Sequence, residues 1–278
     1  MALLANFHTH CTFCDGKDTA EDMVREAVRK GFLHLGMSSH ADTWFDPDYR
    51  MDMKAYLTEI RRLREAYRDR IEILAGVEMD CLSRPEASDG AEYVIGSTHY
   101  LDLGDGRYPS VDDTVEIQDR VCREEFGGDY YRYCRAYYDL EAQVVARTKC
   151  TFIGHFDLVT RFNEEAPRFD EEDPRYLGPA KEAMRALAEY RLPFEINTGA
   201  LNRGRRSVPY PAPPLLRYLH ELGGEIIINS DAHQKEKLDG AFPEAIRCAI
   251  RCGFTHTNIL ARDGGKPGFR QIALDRLL

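Results

Sequence analysis

The sequence predicts an α/β protein whose parallel sheet closes, or nearly closes, into a barrel. Three observations carry this expectation. Short, mostly apolar runs alternate with helix-period patterns from one end of the 278-residue chain to the other. Seven such strand–helix alternations are present, as βα units arranged around a barrel require. The glycine-rich phosphate loop that a Rossmann-type sheet would place after an early strand is missing.

The strand runs fall at residues 3–8, 33–39, 71–77, 93–98, 152–154, 193–197 and 225–229. Each is short and apolar, as expected of strands buried on both faces. After the first, Thr19-x-x-Asp22 reads as a capping box that opens a helix carrying Met23, Val24, Ala27 and Val28 and stopping at Gly31. A second helix places Leu57, Ile60, Leu63 and Tyr67 on one face. Further helices are expected near 129–147, after Pro174, after Pro213-Pro214, and from Phe242 to a C-cap at Gly253. With no internal repeat, low-complexity tract or Pro/Ser-rich linker, residues 1–278 read as a single domain.

A hydrophobic fraction of 43% and an aromatic fraction of 10% supply material for a core. The net charge of -10 argues against a nucleic-acid partner, which needs a basic footprint. It leaves room for small anionic substrates, because bound metal ions invert the local sign of charge. Met1-Ala2-Leu3-Leu4-Ala5-Asn6 has no basic region and too short an apolar run for a signal peptide, and no stretch reaches the length of a membrane span. The eight cysteines form no framework: Cys11-x2-Cys14 and Cys248-x3-Cys252 each lack a matching second pair. The expectation is a cytoplasmic protein with reduced thiols and no membrane partner, its oligomeric state open.

The chemistry is written at the strand ends. The first run ends in Phe7-His8-Thr9-His10, and alternate residues of a strand point to the same side, so both imidazoles can grip one ion. Asp15 follows in the next loop. The second run ends at Ser38-Ser39-His40, the third at Gly76-Val77-Glu78, the fourth at Ser97-Thr98-His99 and the fifth at Gly154-His155-Phe156-Asp157. The seventh ends at Asn229-Ser230-Asp231-Ala232-His233. In a parallel barrel these ends open onto one face, so residues far apart in sequence converge. A single histidine at a strand end is ordinarily a hydrogen-bonded surface group, and His34, His220 and His256, within or before elements, are read that way. Six of the nine histidines and three carboxylates in consistent strand-end context are a different matter. Hard carboxylates mixed with imidazoles suit zinc, manganese or iron.

Phe7-His8-Thr9-His10 with Asp15-Gly16, Ser39-His40, Gly76-Val77-Glu78, Ser97-Thr98-His99, Gly154-His155 and Ser230-Asp231-Ala232-His233 resembles the PHP (polymerase and histidinol phosphatase) family. Order and spacing are similar to its stand-alone histidinol-phosphatase branch, as are the softer motifs Phe194-Glu195-Ile196-Asn197-Thr198 and Phe126-Gly127-Gly128-Asp129-Tyr130. The resemblance implies a distorted (β/α)7 TIM-like barrel holding two or three divalent ions. By the family pattern His8, His10, Glu78 and Asp231 hold the first ion. Glu78 bridges to a second, completed by His99 and His155, and Asp15, His40 and His233 hold a third. The chain departs from the family at Ser38-Ser39-His40, where the pattern often reads Thr-Asp-His.

The activity expected is hydrolysis of L-histidinol phosphate to L-histidinol and phosphate, a step of histidine biosynthesis. Two ions at roughly 3.5–4 Å can neutralise a phosphomonoester's oxygens and acidify a water to make the nucleophile. The leaving alkoxide needs a proton or a metal, with Asp231 and His233 as candidates. Arg161, six residues beyond His155, is expected to clamp the phosphate, with Arg203 as a second clamp and Arg205 as its rival. The loop 42–53, carrying Trp44, Phe45 and Tyr49, follows His40 and should overhang the site, with Trp44 in place to stack on substrate. The alternatives are a family phosphoesterase acting on a nucleotide, phosphodiester or phosphotyrosine, a C–N-cleaving amidohydrolase-type enzyme, and a non-catalytic metal-holding scaffold. Against the amidohydrolase stand Glu78 and His99 where a bridging lysine is common. Against the scaffold stands the full ligand set.

Overall fold

The seven apolar runs become seven parallel strands in the order of the chain. A computed structural model describes residues 5–262 and 264–278. The strands are β1 (Ala5–Asn6), β2 (His34–Met37), β3 (Glu72–Asp80), β4 (Tyr93–Ser97), β5 (Phe152–Ile153), β6 (Phe194–Asn197) and β7 (Ile226–Asn229). Each pairs in parallel with the next. The run 3–8 is the least complete of them: its first two residues lie outside the described ones, and regular pairing covers only Ala5 and Asn6.

The curl of the sheet is closed at its C-terminal rim. There Thr9 bridges Ala232 in parallel, with the His10 N–H donating to the Ala232 carbonyl at 2.8 Å and the Ala232 N–H to the His8 carbonyl at 3.2 Å. Near its start, β7 instead turns to β8 (His256–Arg262), through the pair Ile227 and Asn258. β9 (Pro267–Ala273) returns antiparallel along β8. This hairpin, absent from the sequence reading, shares the edge of β7 with β1. The barrel is therefore distorted where β1 and β7 meet, since β8 also pairs with β7 in parallel.

The helices between strands are α1 (Ala20–Lys30), α2 (Met53–Tyr67), α3 (Val115–Phe126), α4 (Tyr130–Glu141), α5 (Val144–Thr148), α6 (Pro174–Ala188), α7 (Gly199–Asn202), α8 (Pro213–Glu221) and α9 (Phe242–Arg251). α1 starts as its capping box requires, the Thr19 hydroxyl accepting the Asp22 N–H at 3.1 Å, and ends at Gly31 with φ of 81°. The helix expected over 129–147 is two, α4 and α5, separated at Gln143. α9 is capped by Cys252, with Gly253 following at φ of 103°.

Tyr93 fills the barrel interior, and two glycines make the space for it. A Cβ on Gly36 or Gly76 would lie 2.1 Å from the Tyr93 ring or hydroxyl. The hydroxyl donates to the Phe7 carbonyl at 2.7 Å, so a buried polar atom is satisfied and β1 is tied to β4 across the barrel. All eight cysteines are unpaired, and no described helix is long and apolar enough to cross a membrane.

Candidate metal centre

Register brings the ligand-type residues together. The Thr9–Ala232 bridge sets two three-residue stretches side by side, so His8 and His10 flank one partner while Asp231 and His233 flank the other. A second parallel bridge pairs His40 with Glu78. Asp231 takes a left-handed backbone with φ of 50°, which an aspartate tolerates better than most residues but which still stores strain at the site. Gly199 lets α7 approach: a Cβ there would lie 2.7 Å from Asp231 Oδ2 and 2.8 Å from Arg203 Nη2.

Glu78 is the centre of the arrangement. Its Oε2 faces His8 Nε2 at 3.1 Å, His10 Nε2 at 3.3 Å and His40 Nδ1 at 3.3 Å. Its Oε1 faces His155 Nε2 at 2.8 Å and His99 Nε2 at 3.2 Å, and accepts the Ser97 hydroxyl at 2.7 Å. Asp231 Oδ1 stands 3.4 Å from His10 Nε2 and 3.8 Å from His8 Nε2. Asp15 meets His233 Nε2 at 3.0 Å, His10 Nδ1 at 3.5 Å and His40 Nε2 at 3.8 Å. All nine residues expected as ligands thus sit in one cluster. His40 lies between two groupings, His10–Asp15–His40–His233 and His40–Glu78–His99, while His8, His10 and Glu78 form a third, with donor atoms in each within 4.8 Å.

The electrostatics call for cations. Burial pushes Glu78 and Asp231 towards the neutral acid. The positive charge of His8, with His40 and His99 for Glu78 and Arg203 for Asp231, overrides it and holds both well below the usual carboxylate range. His8 shows the reverse: burial lowers it, but Glu195, Glu78 and Asp231 push it up to about 10. Burial, with His10 and His99 acting in the same sense, takes His40 down to about 3 against the pull of Glu78 and Asp15. In the protein alone, protons on buried imidazoles balance the carboxylates, which is the role divalent ions take over. His8 Nε2 and His10 Nε2 are buried and have no hydrogen-bond partner among the described residues. Such atoms are costly unless something else satisfies them. Donor chemistry and orphaned nitrogens both fit divalent metal.

The reading from sequence missed the groups that orient these imidazoles. Glu195 Oε1 receives His8 Nδ1 at 2.7 Å, its other oxygen accepts the His155 N–H at 3.0 Å, and Asn197 and Asn229 hold it in turn. Asp80 faces His99 Nδ1 at 3.4 Å and accepts its backbone N–H at 2.7 Å. The signal for Glu195 was a charged residue inside a buried strand; for Asp80 it was the same-face position two beyond Glu78.

The cluster forms one wall of a cavity of about 600 Å³ whose lining includes Arg161, Arg203, Arg205, Tyr49 and Tyr100. Arg161 donates from Nη1 to Asp112 at 2.8 Å, and its buried Nε has no partner among the described residues. Arg203 reaches the Asp231 carbonyl at 3.2 Å and carboxylate at 3.4 Å. Trp44 does not line the cavity, which corrects the expectation for it. Its indole packs on Phe45 and Tyr108, its N–H donates to the Leu82 carbonyl at 3.2 Å, and the Arg84 guanidinium covers it. From the same loop, Tyr49 is the aromatic turned to the site, edge-on to His40 at 4.6 Å. The other three histidines have local partners: His34 pairs with Glu72, His220 packs on Phe254 and His256 bonds Thr255.

The sequence matches the PHP domain over residues 6–199. It is 24% identical over 298 residues to the "Probable histidinol-phosphatase" of Schizosaccharomyces pombe, covering 97% of this chain and 94% of that protein. To the protein of the same name from Deinococcus radiodurans it is 27% identical over 260 residues, 89% of this chain and 93% of that one. Among solved structures, histidinol phosphate phosphatase from Lactococcus lactis, complexed with zinc, L-histidinol and phosphate, is similar with a TM-score of 0.75 at 23% identity, covering 96% of this chain and 100% of that one. The fold likeness thus extends past the matched domain to the segment that supplies Asp231 and His233.

Proposed function

The chain belongs to the PHP domain family, and we propose that within it the protein is a metal-dependent histidinol-phosphatase, cleaving L-histidinol phosphate with water to L-histidinol and phosphate. The observation that carries the reading is the Glu78 carboxylate, one oxygen turned to His8, His10 and His40 and the other to His99 and His155. That is the arrangement of a bridge between two cation sites. His8, His10 and Asp231 complete the first and His99 and His155 the second. Asp15, His40 and His233 would hold a third, and the mixed imidazole and carboxylate donors suit two or three zinc, manganese or iron ions.

When bound, the divalent ions supply positive charge that offsets the phosphate oxygens and acidifies a water for attack. The chain's own residues do the rest. Arg161, anchored by Asp112 and lining the cavity, binds the phosphate dianion; Arg203, resting on Asp231, lies beside it as a second clamp. Glu195 and Asp80 fix which nitrogen of His8 and His99 faces Glu78. Of the two candidates for returning a proton to the leaving alkoxide, Asp231 is held ionised and is a poor donor. His233 remains for the case in which the third site is empty, its Nδ1 against the Asp231 carbonyl at 3.1 Å and its Nε2 against Asp15. Tyr49 offers an aromatic edge beside the metals, and Asp46 and Asp48 of the same loop line the cavity with charge suited to an ammonium group. The reading also makes the chain one domain acting in the cytoplasm on a small phosphorylated substrate.

The test is phosphate release from L-histidinol phosphate by protein stripped with a chelator and then reconstituted with zinc, manganese or iron. Turnover should vanish on stripping and return with at least one of the three. Turnover unaffected by complete removal of metal overturns the proposal.

A further inference from the structure

Gln118 is a polar side chain on the inward face of α3, where helices ordinarily turn apolar residues. It is 1% exposed, and its carboxamide nitrogen makes two hydrogen bonds, as many as it has hydrogens. One goes to the Val111 carbonyl at 3.0 Å and the other to the Val159 carbonyl at 3.1 Å. Because both neighbours are carbonyls, the NH2 end of the amide has to face them. Val111 and Val159 are themselves buried, where a carbonyl left without a donor is costly.

The two carbonyls belong to segments that lead away from two imidazoles of the cluster. Val111 is tied to His99 beyond the end of β4, its N–H donating to the His99 carbonyl at 2.8 Å. The next residue, Asp112, accepts the Ser110 hydroxyl at 3.1 Å. Val159 lies in the tight helical turn Leu158–Thr160 just beyond His155, with the Leu158 N–H on the His155 carbonyl at 3.0 Å. Arg161 closes that turn, its N–H donating to the Leu158 carbonyl at 2.9 Å. The two arms then meet through their side chains, Arg161 Nη1 donating to Asp112 Oδ2 at 2.8 Å. At their roots, His99 and His155 face the same Glu78 oxygen. Arg206 also grips the turn, at the Thr160 carbonyl, but its other partner is Glu171. The tie between the arms is therefore Gln118 together with the ion pair itself. Asp112 and Arg161 line the cavity, and Gln118 stands behind them, outside the lining.

We infer that Gln118 is a positioning residue for the phosphate clamp: by spanning the Val111 and Val159 carbonyls it sets where the Asp112–Arg161 pair stands relative to His99 and His155. The inference rests on the reading of Arg161 as the group that binds the phosphate. It gives Gln118 no contact with substrate or metal. With the tie in place the guanidinium is presented at a fixed distance from the imidazoles. Without it the two arms are free to shift, and Arg161 meets the phosphate out of line.

The experiment measures inhibition by inorganic phosphate, kcat and KM for L-histidinol phosphate, and bound zinc. It compares the zinc-loaded wild type with Gln118→Met, Gln118→Asn, Arg161→Ala and the Gln118→Met/Arg161→Ala double variant. Methionine keeps the length of glutamine but has no N–H. Gln118→Met should weaken phosphate inhibition and lower kcat/KM by about tenfold each, short of the roughly hundredfold that a displacement of about 1 Å can cost. Bound zinc should not change. Gln118→Asn, which keeps the donors on a shorter stem, should fall between Gln118→Met and the wild type. On the Arg161→Ala background, Gln118→Met should add less than about twofold, because the group it positions is gone. If Gln118→Met fails to fold, Gln118→Asn and its combination with Arg161→Ala carry the same prediction. Wild-type phosphate inhibition and kcat/KM in Gln118→Met overturn the inference. So does a full further loss on the Arg161→Ala background, or a fall in bound zinc. Phosphate inhibition at the wild-type level in Arg161→Ala overturns instead the clamp reading on which the inference stands.

Discussion

The same two strands carry the same pair of residues at both of their ends. His34 lies opposite Glu72 where β2 and β3 begin, and His40 lies opposite Glu78, six residues further along each, where they finish. At the first end the pair is complete in itself. His34 Nδ1 meets Glu72 Oε2 at 2.8 Å, and the other carboxylate oxygen accepts the Arg262 N–H at 3.0 Å. At the second end one carboxylate faces five imidazoles, more than a single pair can satisfy. A histidine–glutamate pair is thus a closed surface pair or part of a ligand-type cluster according to what the neighbouring strands bring. The rim gathers side chains from every turn of the barrel, whereas at the opposite end the β8–β9 hairpin supplies an arginine that closes the pair off.

The largest expected effect breaks this comparison if it fails. Glu78→Ala should lower bound metal by more than one equivalent and abolish turnover, because removing a bridge leaves like-charged ions facing one another unshielded. Glu72→Ala should leave metal content and kcat near wild type, at a cost in stability of up to about 1 kcal/mol as for a surface pair. Elemental analysis showing equal metal in both variants would sink the distinction between the two ends.

Arg161→Ala comes next. Removing the guanidinium should raise KM for a phosphomonoester and also cut kcat, because a phosphate clamp tightens as charge develops; the combined loss should be roughly 1.5–3 kcal/mol in kcat/KM. Kinetics at the wild-type level would pass the role to Arg203 or Arg205.

A third prediction separates two aromatics of one loop. Tyr49→Ala should reduce kcat/KM for L-histidinol phosphate more than for an aryl phosphate, since this ring faces His40 and the cavity. Trp44→Ala should reduce both substrates alike, because its ring is spent on Phe45, Tyr108 and Arg84. The opposite pattern would restore Trp44 as the substrate contact.

The smallest effect is a pH dependence of stability. Burial raises the Asp157 carboxyl from its ordinary 3.8 to about 6, partly offset by Arg206 and the Ala212 N–H. An acid raised in the folded state binds its proton more tightly there than in the unfolded chain. Its stabilising contribution is therefore present below about 4 and lost as pH rises through about 6, by at most about 3 kcal/mol. Denaturation midpoints between these pH values should fall in the wild type and change less in Asp157→Asn. Identical slopes would show that Asp157 is not the source.

What the sequence made legible follows from how each signal is encoded. The seven parallel strands and the nine ligand-type residues lay in local runs: an apolar stretch, then a histidine or carboxylate at its end. The β8–β9 hairpin was missed because β9 is mostly exposed and begins among Gly264, Gly265, Pro267 and Gly268, a turn-like composition. α3 was missed although Thr114 caps it, its side chain accepting the Ile117 N–H at 3.2 Å, because the helix buries only a narrow stripe of Gln118, Val121 and Cys122. The loop 42–53 lines the cavity beside the imidazole cluster, as expected, but which aromatic turns inward depends on Tyr108 and Leu82, which lie far along the chain. Glu195 stands in a motif visible in the sequence, but its contact with His8, like that of Asp80 with His99, is set by packing between strands that no local run encodes.

The central claim is that this rim of imidazoles and carboxylates serves one substrate. The direct measurement is kcat/KM for L-histidinol phosphate against an aryl phosphate, a nucleoside monophosphate and a phosphodiester, with the zinc-loaded protein. L-histidinol phosphate should exceed each of the others by at least about a hundredfold, the discrimination expected when side-chain contacts rather than metal chemistry choose the substrate. Equal rates across the monoesters, or a faster substrate elsewhere in the panel, would contradict the account.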